Sequence, residues 1–435
     1  MKYKKLTLAT GLLLASLSVM AEDAITPVAD YSLLDAIKQG TPMTSFRLRF
    51  ENVGQDAAAP GLKDANAWTL RSLVGWQTKP FHSLSIGAQL IGVTKLDNEY
   101  NDKNHNANQA GKTGYAIVND PDFFNVNQLY LDWTGIPDSK IRAGRQSLKI
   151  DNVRFIGNVE FRQVMQVFDG VTLENHSIAN LDLMAGYYNR VRKVYGDLRP
   201  DDTGILHAAY KLSPTETLTA YGYWYDMNNI TLTSDVSNVT YGLRADGSHK
   251  IDDHWKALFT AEYAQQNPNG SSDQRKTNGS DLIDAYYYKI GLGAGYDSWF
   301  ARLDQELLSS NNGAYAFQTP LGTNHLFQGW VDKFAASTPN AGMRDTYLTA
   351  GGKWQEITFL TEYHWYDADA DFTKASGGTG SYYGREWDVS VAYAYDKHLS
   401  AKIEYGTFKE GDQYLATASR YRDTDKLWLT AIYAF

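Results

Sequence analysis

The chain of 435 residues contains no cysteine. Disulfides and thiolate metal sites are therefore excluded, and so is a lipidated cysteine that would tether the chain to a bilayer. Positive charge is also in deficit, with 41 basic residues against 50 acidic ones. A nucleic-acid-binding domain leans the other way. Beyond the first twenty residues, no apolar run reaches the length of a membrane helix. Mean hydropathy is −0.43. These figures suit a soluble protein, but they suit a transmembrane β-barrel equally, because a barrel strand needs only half of its residues apolar.

What is present begins with a leader. Lys2, Lys4 and Lys5 precede the apolar LTLATGLLLASLS, and Val19-Met20-Ala21 supplies a small-residue cleavage site. This predicts a signal peptide over residues 1–21, cut after Ala21. Residues 22–44 read as a periplasmic lead, with one short helical turn at Ser32 to Lys38. Residues 45–435 read as a single β domain. Aromatics make up 13 %, with Tyr 30 and Trp 11, a composition that suits the aromatic girdles at membrane interfaces.

The stretch KLWLTAIYAF, 426–435, sets the pattern. Leu427, Leu429, Ala431, Tyr433 and Phe435 share one face, and Trp428, Thr430, Ile432 and Ala434 share the other. The period of two defines a strand. The same alternation predicts strands at 45–53, 66–78, 82–94, 125–134, 140–148, 167–175, 181–191, 204–212 and 216–225. It continues at 237–246, 255–264, 282–296, 299–308, 345–354, 357–366, 382–393, 399–407 and 426–435. Eighteen strands form an even number, as a closed antiparallel wall requires. The connections between them alternate short and long. With both termini in the periplasm, every short turn falls on the periplasmic side and every long loop outside. The sequence thus predicts an all-β transmembrane antiparallel barrel of 18 strands.

Charges recur within the strands, at Arg49, Arg71, Arg142, Glu262, Arg302, Asp304, Glu306, Glu362, Arg385 and Glu404. In a dry core each would need a close partner, and facing lipid each would be costly. A water-filled lumen accommodates them.

Two longer stretches carry a resemblance. Residues 141–174 contain Gly144-Arg145-Gln146, Arg154, Ile156-Gly157, Arg162 and Phe168-Asp169. Residues 317–352 contain Thr319-Pro320-Leu321, His325, Phe327-Gln328-Gly329-Trp330 and Asp332-Lys333-Phe334. Both patterns resemble the alginate-export family of outer-membrane porins. The resemblance implies an 18-strand barrel with loops folded into the lumen. It says little about the solute, since relatives range from a polysaccharide exporter to small-solute porins.

Candidate selecting residues cluster first at Lys140, Arg142, Arg145, Lys149, Arg154 and Arg162. Strict alternation sets Arg142 and Arg145 on opposite faces, so both line the lumen only if a bulge near Gly144 intervenes. Arg190, Arg192 and Lys193 follow at a strand rim. One reading is a basic ladder for anionic solutes, because the guanidinium fork matches a carboxylate. The other is mutual pairing with Asp304, Glu306, Glu362 and Glu404, which sets only pore shape and field. Arg302 and Arg385 complete the pore-lining set. Loop 149–166 is expected to bend inward on its apolar residues. Loop 309–344 is expected to cover the mouth, with HLFQGWVDKF as a short helix packing Leu326, Phe327 and Trp330.

Asp367, Asp369 and Asp371 have calcium-like spacing but lack the Gly and the Glu of such a loop, and they read as an exposed acidic loop. His364 near Glu362 has no nucleophile or metal-ligand set beside it, so neither a catalytic residue, nor a metal, nor another cofactor is expected. The sequence points to a passive porin of the Gram-negative outer membrane for small polar solutes, including carboxylate-bearing ones. The alternatives are export of an acidic polysaccharide such as alginate, and a plugged structural or adhesive barrel. The expected partners are solute, outer-membrane lipid and lipopolysaccharide, and the barrel-assembly machinery during insertion. Nucleic acid is not among them, and a monomer is favoured over a trimer.

Overall fold

A computed structural model describes residues 31–56, 62–103, 112–227, 231–412, 414 and 422–435. The signal peptide and most of the lead lie outside the described residues. The remaining lead holds helix α1 (Leu33–Lys38), started by a capping box in which Ser32 and Asp35 satisfy each other's backbone N–H. The Trp76 indole N–H donates to the Ile37 carbonyl at 2.7 Å and holds this helix against the barrel.

The wall is built from β1 (Ser45–Gln55), β2 (Ala65–Gln77), β3 (Leu84–Lys95), β4 (Phe123–Trp133), β5 (Ser139–Gln146) and β6 (Val167–Ile178). It continues with β7 (Leu181–Arg192), β8 (Asp201–Ser213), β9 (Glu216–Met227), β10 (Asn238–Lys250), β11 (Trp255–Pro268) and β12 (Ala285–Tyr296). The last six are β13 (Trp299–Leu308), β14 (Met343–Trp354), β15 (Ile357–Thr373), β16 (Thr379–Ala394), β17 (Leu399–Glu410) and β18 (Thr424–Ala434). Each pairs antiparallel with the next. β18 returns to β1, with Ala434 opposite Ser45, and closes an all-β barrel of 18 strands. The rings of Phe46 and Phe435 meet edge to face at 6.3 Å beside this seam.

The barrel is inverted relative to a soluble protein. On β1, Phe46 and Leu48 are exposed while Arg47, Arg49 and Glu51 are buried. The same alternation runs through β2 to β4 and β12 to β18, so the apolar face looks outward and the charged face inward. Connections 134–138, 179–180, 214–215, 251–254, 297–298, 355–356 and 395–398 lie at the rim that carries Ser45 and Ala434.

Two expectations at the opposite rim need correction. The stretch 367–381 is not a long loop: β15 and β16 run on past the wall and turn at 374–378. Asp367, Asp369 and Asp371 therefore sit on a strand, where Asp369 accepts the Ser310 N–H at 2.8 Å and faces Arg344 at 3.6 Å. The three carboxylates share the less buried face of the strand, while Ala368 and Phe372 are buried. No group of residues able to hold a metal ion occurs among the described residues.

Candidate functional site

Two loops enter the lumen and make the site. Loop 147–166 follows β5. Its Phe155 ring lodges among Tyr221, Tyr287 and Phe317 at 5.3, 5.3 and 6.0 Å. Ile156 bridges in parallel to Leu321 of the second loop, and the Gly157 N–H donates to the Leu321 carbonyl at 2.9 Å. Val153 and Val159 have φ of 62° and 49°, a region that a β-branched residue normally avoids. Strain of this kind persists only where surrounding contacts over-determine the backbone.

Charged groups fasten this loop across the lumen. Arg154 is fully buried, donates to Glu306 on β13 at 2.6 Å and reaches Asn324 at 2.8 Å. Arg162 forks onto Glu51 of β1 at 3.0 and 3.3 Å and meets Asp332 at 3.2 Å. From the wall, Arg47 donates to the carbonyls of Glu160 and Arg162 at 2.8 and 2.6 Å, and Arg49 donates to the Phe161 carbonyl at 2.5 Å. Neither loop 147–166 nor the wall could hold these groups dry without the other.

Loop 309–342 comes from β13 and docks inside the barrel on β15 and β16. Its Trp330 and Val331 N–H groups donate to Asp388 and Glu386 on β16 at 3.3 and 2.6 Å. The Trp330 indole donates to Glu362 on β15 at 3.0 Å. Gly329 permits this approach: its φ is +76°, and a Cβ there would lie 2.3 Å from the Tyr366 hydroxyl. The expected helix in HLFQGWVDKF is only a 3-10 turn over Asn324–Leu326. Phe327 and Trp330 are buried, but Leu326 is exposed, contrary to expectation. Positive φ at Gly329 and Asp332, 76° and 65°, breaks the stretch, and the Asp332 carboxylate is held by His325 and Arg162 of the two loops. Lys333 donates to Thr424 at 2.5 Å over the Phe408 ring. Burial, reinforced by Lys426, pushes its amine down to about 7.

The remaining sequence candidates divide by face. Arg142 points inward, grips Asp132 through two bonds of 2.6 and 2.7 Å, and lies 3.7 Å over the Tyr130 ring. Arg302 grips Asp304 on its own strand at 2.5 and 2.6 Å. Glu404 pairs with Lys402 at 2.6 Å, and Glu306 also accepts the Tyr287 hydroxyl at 2.8 Å. Arg145, Arg190 and Arg385 point outward instead. No bulge interrupts β5 at Gly144, so Arg145 stands opposite Leu129 on the outer face. There it grips Asp169 at 2.7 and 2.8 Å, and Arg190 shares that carboxylate at 3.4 Å. Arg385 follows the outward Trp387 on β16. Alternation on the strand outweighs charge in all three cases.

Several lumen residues carry weight that the sequence alone did not disclose. Arg47 stands directly opposite Arg71 on β2, with Arg49 one inward step along. Arg71 is 3.9 Å from Glu160, and its Nε and Nη1 have no hydrogen-bond partner among the described residues. On β15, His364 is held by Asp345 at 2.9 Å between Glu362 and Asp388. The lumen is thus basic along β1 and β2 and acidic along β13 to β16. The alternation in SFRLRFENV was the available signal for Arg47, whereas the acidic wall is assembled from four strands and has no local signature.

An 18-stranded antiparallel wall with two inward loops defines a transmembrane β-barrel. The alginate export family model matches residues 44–426, and the chain belongs to that family. No curated protein matches it. Among solved structures it is similar to Pseudomonas aeruginosa OccK9 (OpdG), with a TM-score of 0.69 and 14 % identity over 92 % of this chain and 98 % of that one. It is also similar to Pseudomonas aeruginosa OpdK with vanillate (TM-score 0.65, 14 % identity, 90 % and 97 % covered). OpdL of the same organism is similar too (TM-score 0.65, 13 % identity, 91 % and 98 % covered). At such identity, what these proteins share with this chain is the fold.

Proposed function

We propose that the protein is a passive channel of the Gram-negative outer membrane for small polar solutes, including those that bear a carboxylate. The observation that carries this reading is an inner face lined by fixed charge, basic at Arg47, Arg49 and Arg71 on β1 and β2 and acidic at Asp304, Glu362 and Asp388 on β13 to β16. Fixed charges of both signs along the inner face orient a polar solute and select by charge without a covalent step. A barrel of similar fold holds vanillate, itself a carboxylate. We place both termini in the periplasm, on the strength of the short connections at the rim of Ser45 and Ala434.

Reconstitution in a planar bilayer tests the reading. Steady conductance is expected, with a reversal potential across a salt gradient that shows anion preference, and block by small carboxylates. Cation preference without carboxylate block would remove the role of the arginines. Absence of any conductance would favour a plugged barrel. The family name keeps export of an acidic polysaccharide as the second reading, and block by oligomeric uronate but not by small carboxylates would favour it. The inward cations Lys140, Arg142, Arg302 and Lys402 each hold a carboxylate at 2.6 Å or less, so a continuous free basic track is not in evidence among the described residues.

A further inference from the structure

On the outward face, Arg385 of β16 stands directly opposite Lys409 of β17. Like charges paired across a sheet destabilise it unless something of opposite sign lies between them. Lys409 has Asp423 at 3.1 Å, but among the described residues no carboxylate lies within ion-pair distance of Arg385. The outward triad of Arg145, Asp169 and Arg190 differs, because there one carboxylate serves both guanidinium groups. The surroundings of Arg385 are aromatic. Trp365 is its cross-strand partner on β15, and Trp387 lies next below it on the same face. About ten residues separate Arg385 from the exposed Tyr395 toward the opposite rim. At about 3.3 Å per residue and a tilt near 40°, that distance is roughly 25 Å along the barrel axis, the height of the apolar band. Arg385 and Lys409 therefore sit where lipid headgroups begin, above indoles that sit at the same interface.

We propose that Arg385 and Lys409 form a site on the outer wall for the phosphate of a membrane lipid, with Trp365 and Trp387 receiving the top of its acyl chains. The proposal rests on the reading of the chain as a membrane barrel, and not on what the lumen conducts.

Native mass spectrometry of the whole barrel is the test, with three separate probes. These are a bisphosphorylated acylated disaccharide, its dephosphorylated counterpart, and inorganic phosphate. The wild type is expected to retain the phosphorylated lipid about tenfold better than the dephosphorylated one, as a charge-assisted fork would give. The double variant Arg385→Gln with Lys409→Gln is expected to lose that difference, and Arg145→Gln with Arg190→Gln to keep it. A difference between the two lipids that persists undiminished in the first double variant overturns the site. Inorganic phosphate binding as firmly as the lipid overturns the lipid as its occupant. If the double variant does not insert, added salt in the wild type serves instead, and phosphate-dependent retention that ignores salt counts against the site. Bilayer conductance of the variant separates the two readings, since a non-conducting barrel that still discriminates the phosphate leaves this site intact.

Discussion

Arg154 and Glu306 lie 2.6 Å apart, from a loop and a strand far separated in sequence, and neither side chain is more than 1 % exposed. A buried pair of this kind gives little net stability, yet breaking it on one side is severe. Glu306→Ala leaves the guanidinium dry and unpaired, at a cost of about 3–5 kcal/mol. The expected result is release of loop 147–166, read as a larger and noisier single-channel conductance. Replacing both partners by apolar residues, Arg154→Met with Glu306→Leu, is expected to restore the wild-type current. Equal noise in the single and double variants would show that the pair does not hold the loop.

Charge selection is predicted to reside in the arginines of β1 and β2. A unit charge about 5 Å from a passing anion in a water-like medium is worth roughly 1 kcal/mol. Arg47→Gln or Arg71→Gln should therefore lower the anion-to-cation permeability ratio by about fivefold. Arg385→Gln should leave it unchanged, because that side chain faces outward. Reversal potentials across a salt gradient read both outcomes.

Gly329→Ala tests the second loop. A left-handed backbone costs an L-residue roughly 1–2 kcal/mol, and the added methyl would also meet Tyr366 and Glu386 at 2.3 and 2.4 Å. Undocking is expected to increase conductance and to expose Trp330, with quenching of indole emission by an aqueous quencher as the second readout.

Lys333 sets a pH dependence. Its amine titrates near 7 when the loop is docked and near its ordinary value of about 10.4 when the loop is free. Between these values the free state binds more protons, so docking strengthens as pH rises from about 7 to about 10 and weakens as pH falls through the same window. Below about 7 both states are charged and the dependence flattens. Channel noise at pH 7 should exceed that at pH 9, and Lys333→Met should abolish the difference.

The strands were legible because a barrel wall repeats one rule. SFRLRFENV alternates apolar and charged residues, and all 18 alternating stretches become strands in the order predicted. The site was less legible for two reasons. Outward charges obey the same rule as inward ones, and YYGREWDVSVAY sets Arg385 with Trp387, Val389 and Val391, a pattern that the charge alone obscured. The decisive contacts also join distant segments, such as Arg162 with Glu51 and Asp332. Sequence spacing carries no trace of these. The inward course of loop 147–166 was readable from Phe155, Ile156 and Phe161, which water would not favour, but not the partners that receive it.

The seam between β1 and β18 joins the two ends of the chain, so its contacts span the greatest sequence distance and come last in any ordered assembly. Arg162 reaches Glu51 on β1, Lys426 on β18 faces both Glu51 and Asp332, and Lys333 reaches Thr424 on β18. The inward loops thus act as a clasp across the one joint that the chain does not cross covalently. A barrel pulled open by force is therefore expected to resist at its seam as strongly as elsewhere, and the same ties that narrow the passage keep the cylinder shut.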